Sequence, residues 1–248
     1  MTRDPNPSLD TIAPTPDGQL VVLYDAIQEC PYLQGQIARM PLEHPRTPLS
    51  HDDLDRLLER GYRRTGTMFY RTHCPSCREC IPTRVDVTEF QPTRSMRRVL
   101  HRANRELEIE FREPRADHER VRLFNEHRLA RRLSSDVAGT SDYRDFLVSS
   151  CVETVELSFF KDGSLIGVAI VDVGKSSINA VYTCFAESAH RYSIGTLAIL
   201  KQIEFAQASH RRYVYLGLFV ADNAHLNYKA RFLPQQRLLD GEWRTIAP

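Results

Sequence analysis

No apolar run in the chain reaches the length of a membrane span, about 20 residues, so no membrane partner is expected. The opening "MTRDPNPSLDTIAPTPDG" lacks the charged-then-apolar order of a signal peptide, and a cytoplasmic protein with reduced cysteines is the expectation. Signatures of covalent and metalloprotease chemistry are missing too: there is no G-x-S-x-G, no H-E-x-x-H and no Walker loop. Neither repeats nor low-complexity segments occur. Lysine is scarce. Of the 33 basic residues only Lys161, Lys175, Lys201 and Lys229 are lysines; the rest are arginines, whose planar fork grips carboxylates and phosphates bidentately. Net charge is only +1, so the placement of the arginines has to indicate a partner.

The 248 residues suit one large domain or two small ones. Residues 1–20, rich in Pro, Asp and Thr, are expected as a flexible lead-in, 21–150 as an N-terminal Cys/Arg-rich domain and 151–248 as a second domain. "QLVVLYDA" is a strand candidate and "QECPYLQGQIARMPL" an irregular stretch. "SHDDLDRLLERG" predicts a short helix, with Ser50 capping against Asp53 and Leu54, Leu57 and Leu58 on one face. "YRRTGTMFYRTHC" predicts a strand or hairpin and "IPTRVDVTEFQP" another strand. In "RSMRRVLHRANREL", Met96, Val99, Leu100, Ala103 and Leu107 fall at helical spacing. The opposite face holds Arg94, Arg97, Arg98, His101, Arg102 and Arg105, with no acid before Glu106.

A second helix is expected near 117–133. From Val155 the pattern becomes strands, with hairpin signals at Asp162-Gly163 and Gly174-Lys175. The helix "SIGTLAILKQIEFAQA", the strand "YVYLGLFV", a short helix near "NAHLNYKARF" and a hairpin in "RLLDGEWRTI" follow. The fold class is therefore α+β. Its C-terminal half has the layout of a GNAT-like acyltransferase domain, a mixed sheet flanked by helices. There an acyl donor enters where central strands splay, and the turn before the helix (191–195 here) offers N–H groups to a phosphate.

The stretch "GYRRTGTMFYRTHCPSCRECIPTRVDVTEFQPTRSMRRVLHRAN", followed by "SIGTLAILKQIEFAQ", "YVYLGLFV" and "NYKARFLP", closely resembles the bacterial leucyl-tRNA–protein transferases (aspartate/glutamate leucyltransferases, Bpt), relatives of the arginyl-tRNA–protein transferases. The resemblance implies an enzyme, an aminoacyltransferase of the N-degron pathway. It would move leucine from leucyl-tRNA to the α-amine of proteins beginning with Asp or Glu, marking them for degradation. Arginine as the donated residue is the alternative. The chain departs from the family pattern at "ARRLSSDVAGTSD".

An N-terminal amine has a pKa of about 7.7–8.0, so positioning two partners can supply most of the acceleration and no cofactor is required for the chemistry. A polyanionic donor gives the arginine strip a purpose: Arg94, Arg97, Arg98 and Arg102, with Arg191 and Lys229, are the tRNA-binding candidates, and DNA is not expected as a partner. An acidic acceptor needs a cation. Arg39, Arg63, Arg64 and Arg84 lie in or beside the matching motifs, with Arg84 and Arg64 favoured. Asn227 and Tyr228 join Arg39, Arg64 and Arg84 as substrate-binding candidates. Asp222 and Tyr182 are the catalytic candidates, Asp222 as proton acceptor or as a helix cap.

Cys74, Cys77 and Cys80 follow C-x2-C-x2-C spacing, and Cys30 can supply a fourth thiolate for zinc or an iron–sulfur cluster. Reduced cysteines without metal remain open, and Cys151 and Cys184 read as core thiols. Two other classes compete. An acetyl-CoA-dependent N-acetyltransferase leaves the cysteine-rich half unused, and a metal-stapled tRNA-binding module without catalysis leaves the C-terminal half unused.

Overall fold

Eight strands join in one sheet, and its inner positions form the centre of the protein. The structure, a computed structural model, describes residues 19–247; the expected lead-in falls outside the described residues up to residue 18. The N-terminal part runs β1 (Leu20–Tyr24), β2 (Ile27–Glu29), β3 (Ile37–Arg39), β4 (Leu42–Pro45), α1 (His51–Glu59), β5 (Arg63–Thr65), β6 (Met68–Tyr70), β7 (Ile81–Asp86), α2 (Arg94–Glu106), β8 (Glu108–Arg112), α3 (His118–Ala130) and α4 (Thr140–Tyr143). After it come β9 (Thr154–Lys161), β10 (Ser164–Val173), β11 (Ser177–Phe185), α5 (Ile194–Ala208), β12 (Tyr213–Phe219), β13 (Gln235–Leu239) and β14 (Glu242–Ile246).

Local chemistry sets these boundaries. Ser50 and Asp53 form a reciprocal capping box at the start of α1, satisfying N–H groups that the first turn leaves without partners. The helix buries Leu54, Leu57 and Leu58 against Phe69 and Tyr215, each such leucine contributing roughly 1.5–3 kcal/mol. Asp162-Gly163 and Asp240-Gly241 both take positive φ at two successive residues, the turn geometry that matches strand twist in two-residue hairpins.

The large sheet has the order β14-β13-β7-β12-β11-β10-β9-β8. Every neighbouring pair is antiparallel except β11 and β12. β7 and β8 come from the stretch expected as a separate N-terminal domain, yet both lie in this sheet. The division near residue 150 therefore does not coincide with a sheet boundary. β8 had no sequence prediction: "EIEFR" alternates on an edge, with Phe111 exposed. The stretch expected to be irregular contains the short β2–β3 hairpin. β1, β4, β6 and β5 make a second, four-stranded sheet. Mixed sheet and flanking helices give the GNAT-like α+β architecture.

Candidate functional site

β11 and β12 pair only from Ser177 opposite Tyr213 to Asn179 opposite Tyr215. Beyond that point both strands are bulged: β11 shifts register against β10 between Ile170 and Val171, and β12 against β7 between Tyr215 and Gly217. Bulges bend strands and interrupt ladders, so the sheet opens there. A pocket of about 1210 Å³ occupies the opening, large enough for an extended ligand.

Arg63 reaches into the gap from β5. Its Nη1 donates to Asn179 Oδ1 at 3.3 Å and its Nη2 to the Ala180 carbonyl at 3.4 Å. Gly217, at φ +84° on the facing strand, leaves room: a Cβ there would overlap the Arg63 guanidinium. Gly217→Ala should therefore lower stability by about 1–2 kcal/mol, through the left-handed φ, and push the guanidinium aside. A thermal melt should show Tm lower by roughly 2–8 °C; an unchanged Tm would contradict the strain.

Behind Arg63 stands a buried polar chain. Asn179 Nδ2 donates to Asp172 Oδ2 at 2.9 Å, and Arg64 Nε donates to both Asp172 oxygens at 2.9 Å. The Arg64 and Asp172 side chains are both fully buried. Adjacent strand residues point to opposite faces, so Arg63 reaches into the pocket while the Arg64 guanidinium turns to buried Asp172 at the pocket's edge.

One wall of the pocket is aromatic. Tyr182 packs edge-on to Phe124 and Phe146, with ring centroids 5.5 and 5.6 Å apart. Burial raises the Tyr182 hydroxyl pKa, so it stays protonated. His127 completes the wall: Phe185 N–H donates to His127 Nδ1 at 3.3 Å. Burial, then the Arg131 charge, pull its pKa down to about 4. A group whose folded pKa is depressed stabilises above its unfolded pKa, near 6.5, and that stability is lost as pH falls through about 4. His127→Gln should thus flatten the acid limb of the stability profile between those values, by about 3 kcal/mol at most. Denaturant melts at pH 7 and pH 4.5 measure it, and equal slopes in both proteins would contradict it.

The pocket lining is strongly cationic. Arg63, Arg64, Arg128, Arg131, Arg132 and Arg231 line it, Arg64 already paired with Asp172, against one lining carboxylate, Asp142, among the described residues. Arg128 and Arg131 lie over the Phe124 and Phe185 rings. The start of α5 also faces this space through Ser193, Gly195 and Thr196, bringing the positive end of a helix dipole.

Two family models match the chain: "Arginine-tRNA-protein transferase, N terminus" over residues 28–98 and "Arginine-tRNA-protein transferase, C terminus" over residues 119–239. The chain belongs to this transferase family. Curated relatives include aspartate/glutamate leucyltransferases of Methylobacillus flagellatus, 36% identical over 88% of each chain, and of Marinobacter nauticus, 36% identical over 88% of this chain and 93% of that one. That of Thiobacillus denitrificans is 33% identical over 93% and 97%. Among solved structures, FemX superposes with a TM-score of 0.51 at 7% identity, covering 86% of this chain and 85% of the other, which shows the fold alone.

Within this transferase the residues singled out from sequence fall in several places. Tyr182, Tyr228, Lys229 and Arg64 border the large pocket. Lys229 is buried, its Nζ donating to the Leu218 carbonyl at 2.6 Å, and burial followed by the Arg63 charge pull its pKa well down. Arg84 is buried elsewhere: it stacks 3.9 Å from the Tyr213 ring and 4.2 Å from Trp243, donates to Gln236 and Tyr215, and pairs with Glu59. Arg39 grips Asp25 through Nε and Nη2, which donate to Oδ1 and Oδ2 at 2.9 and 2.7 Å. Asp222 is exposed at a separate, smaller pocket beside Cys77 and Arg78. Its neighbour Asn223, rather than Asp222, accepts the His225 N–H. Asn227 is exposed and donates to the Ala221 carbonyl.

Arg94, Arg97, Arg98 and Arg102 are exposed along α2, and Arg102 donates to the Arg191 carbonyl, next to the entrance of α5. Arg191 itself pairs with Glu106. Phe124, His127, Arg128 and Arg131 were not singled out from sequence, because "HERVRLFNEHRLARR" alternates charge and bulk without a motif, and neither was Phe146 in "YRDFLVSS".

The cysteines gather. Burial and then Cys30, Cys74 and Cys77 push the Cys80 thiol up to about 12. No group of three or more His, Cys, Asp or Glu among the described residues stands in a metal-binding arrangement. Arg78 turns to the Cys74 and Cys77 carbonyls rather than to a sulfur. Cys184 is buried and Cys151 half-buried, both with burial-raised pKa values.

Proposed function

We propose that the protein transfers leucine from leucyl-tRNA to the α-amine of proteins beginning with Asp or Glu, a reading supported by its relatives' name, aspartate/glutamate leucyltransferase. The observation that carries this reading is the opened sheet: an aromatic wall and a cationic lining share one large pocket. Phe124, Phe146 and Tyr182 suit an apolar aminoacyl side chain. Arg128, Arg131 and the α5 N-terminus suit the 3′-terminal phosphates, and the α2 arginines suit the rest of the tRNA.

In the reaction the free α-amine attacks the ester carbonyl carbon. The new C–N bond forms, the ester C–O bond breaks, and the tRNA hydroxyl leaves with a proton replacing the ester. The amine then loses its extra proton. The pocket needs no nucleophile of its own, because the ester is already activated and the amine is partly neutral near pH 8. Closing the reactants off from water also limits hydrolysis of the ester.

Cys30, Cys74, Cys77 and Cys80 lie near one another without standing in a metal-binding arrangement, and would have to close together to hold zinc or an iron–sulfur cluster as thiolates. A soft cation would offset the burial, and then the mutual repulsion, that raise the Cys80 pKa. The group would fasten the 74–80 loop to the turn at Cys30. Protein purified without oxygen should contain zinc or iron near one site per chain, and metal-free, fully active protein would contradict this.

The family models' description favours arginine as the second donor to test. Mass spectrometry of an Asp-initiated peptide, incubated with the protein and tRNA charged with either amino acid, decides between them. Leucine addition supports the reading. Arginine addition alone overturns the donor, and no addition overturns the activity.

A further inference from the structure

We propose that Arg63 is the residue that reads the acceptor: its guanidinium, held in the gap between β11 and β12, binds the side-chain carboxylate of the N-terminal Asp or Glu. This rests on the transferase reading above and deepens it.

Three of the candidate cations are already engaged by carboxylates. Arg64 is tied to Asp172, Arg84 to Glu59 inside an aromatic cage, and Arg39 to Asp25. An arginine with its carboxylate already in place gains little from a second one. Arg63 has no carboxylate partner among the described residues; both its hydrogen bonds are to neutral oxygens and both are long. A guanidinium has five N–H donors and stays charged across the working pH range, so most of its fork remains open to a ligand. Lys229 nearby is a poorer anchor, since its amine is buried and already donates to a backbone carbonyl.

The gap is built around this side chain. Gly217 takes a left-handed φ and has no Cβ where the guanidinium lies. Asn179 presents Oδ1 to Arg63 because its Nδ2 is fixed on Asp172, and Asp172 is fixed by Arg64. Three buried groups thus hold one half-buried fork at the point where the sheet opens. Arg64 acts here as a positioning residue. A carboxylate on Arg63 would leave the α-amine of the same residue, only a few bonds away, inside the pocket that also receives the ester.

The reader is also matched to its ligand in burial. Arginine–carboxylate pairs are strongest when partly desolvated and bidentate, whereas an exposed pair is worth little. The amide of an Asn-initiated peptide has the same shape without the charge, so an Asp/Asn pair isolates this interaction.

The test uses the full chain and two peptides identical except for Asp or Asn at the first position. Dissociation constants are measured by fluorescence anisotropy for the wild type, Arg63→Gln and Arg63→Lys. Leucyl-tRNA affinity serves as the folding control, and labelled-leucine transfer by the wild type is measured in parallel. Wild type should bind the Asp peptide roughly 10- to 100-fold more tightly than the Asn peptide. Arg63→Gln should bring that ratio near one while holding leucyl-tRNA, and Arg63→Lys should recover part of it. A ratio unchanged in Arg63→Gln overturns the proposal, as does weakened leucyl-tRNA binding with the ratio preserved, which would place Arg63 on the donor. Absence of wild-type transfer, by contrast, would overturn the transferase reading itself.

Discussion

Arg64→Met should cost about 3–5 kcal/mol of stability, because it strands the fully buried Asp172 carboxylate. In a chain of this size that corresponds to a Tm lower by roughly 6–20 °C. The buried network extends beyond the pair: Asp172 also accepts from Thr154 Oγ1 and Asn179 Nδ2, and Arg64 Nη1 donates to the Gly66 carbonyl at 2.7 Å. Removing the charge on both sides is a different matter. Arg64→Met with Asp172→Asn should recover much of the loss, since replacing a whole buried pair is often near neutral. Calorimetry on both variants and the wild type makes the comparison. If the single variant melts with the wild type, the pair is not structural, and Arg64 returns as a direct ligand for the acceptor.

The second large effect concerns tRNA. Arg97, Arg98 and Arg102 are exposed on one face of α2. Arg97 and Arg102 donate to the Pro92 and Arg191 carbonyls, and no carboxylate pairs with any of the three among the described residues. Changing all three to Ala leaves the apolar face of α2, Met96 and Ala103, in place. Each phosphate deprived of its arginine should flatten the plot of log affinity against log salt by roughly 0.7–0.9. The triple variant should therefore lose about 2–3 from the slope and bind tRNA more weakly at low salt. An unchanged slope would remove α2 from the interface. Continuity supports the path: the hydrogen bond from Arg102 to Arg191 links α2 to the entrance of α5, which lines the pocket.

Much of the fold could be read from local pattern. The Ser50/Asp53 box, the Asp-Gly turns and the apolar stripe of α2 each depend on neighbours a few residues away, and each forms as predicted. The domain division was less legible, because β7 and β8 join the large sheet through pairings over long sequence separation. The pocket shows the same limit. "YRRTG" places two arginines side by side, and strand alternation requires that they face opposite ways. Which of them meets Asp172 depends on partners 108 residues distant. Arg84 reads as a free cation in "IPTRVDV", but Tyr213, Tyr215 and Trp243 come from strands far along the chain. His127 gave no signal because its depressed pKa arises from burial and Arg131, not from a motif.

The central claim is that a free α-amine, held beside an acidic side chain, takes leucine from tRNA. The most direct test supplies leucyl-tRNA carrying labelled leucine together with an Asp-initiated peptide, its N-acetylated form and an Ala-initiated peptide. The product is then sequenced from its N-terminus. The account predicts label on the free Asp peptide alone, with leucine in the first position and Asp in the second. Label on the acetylated peptide, or equal label on the Ala peptide, would contradict it.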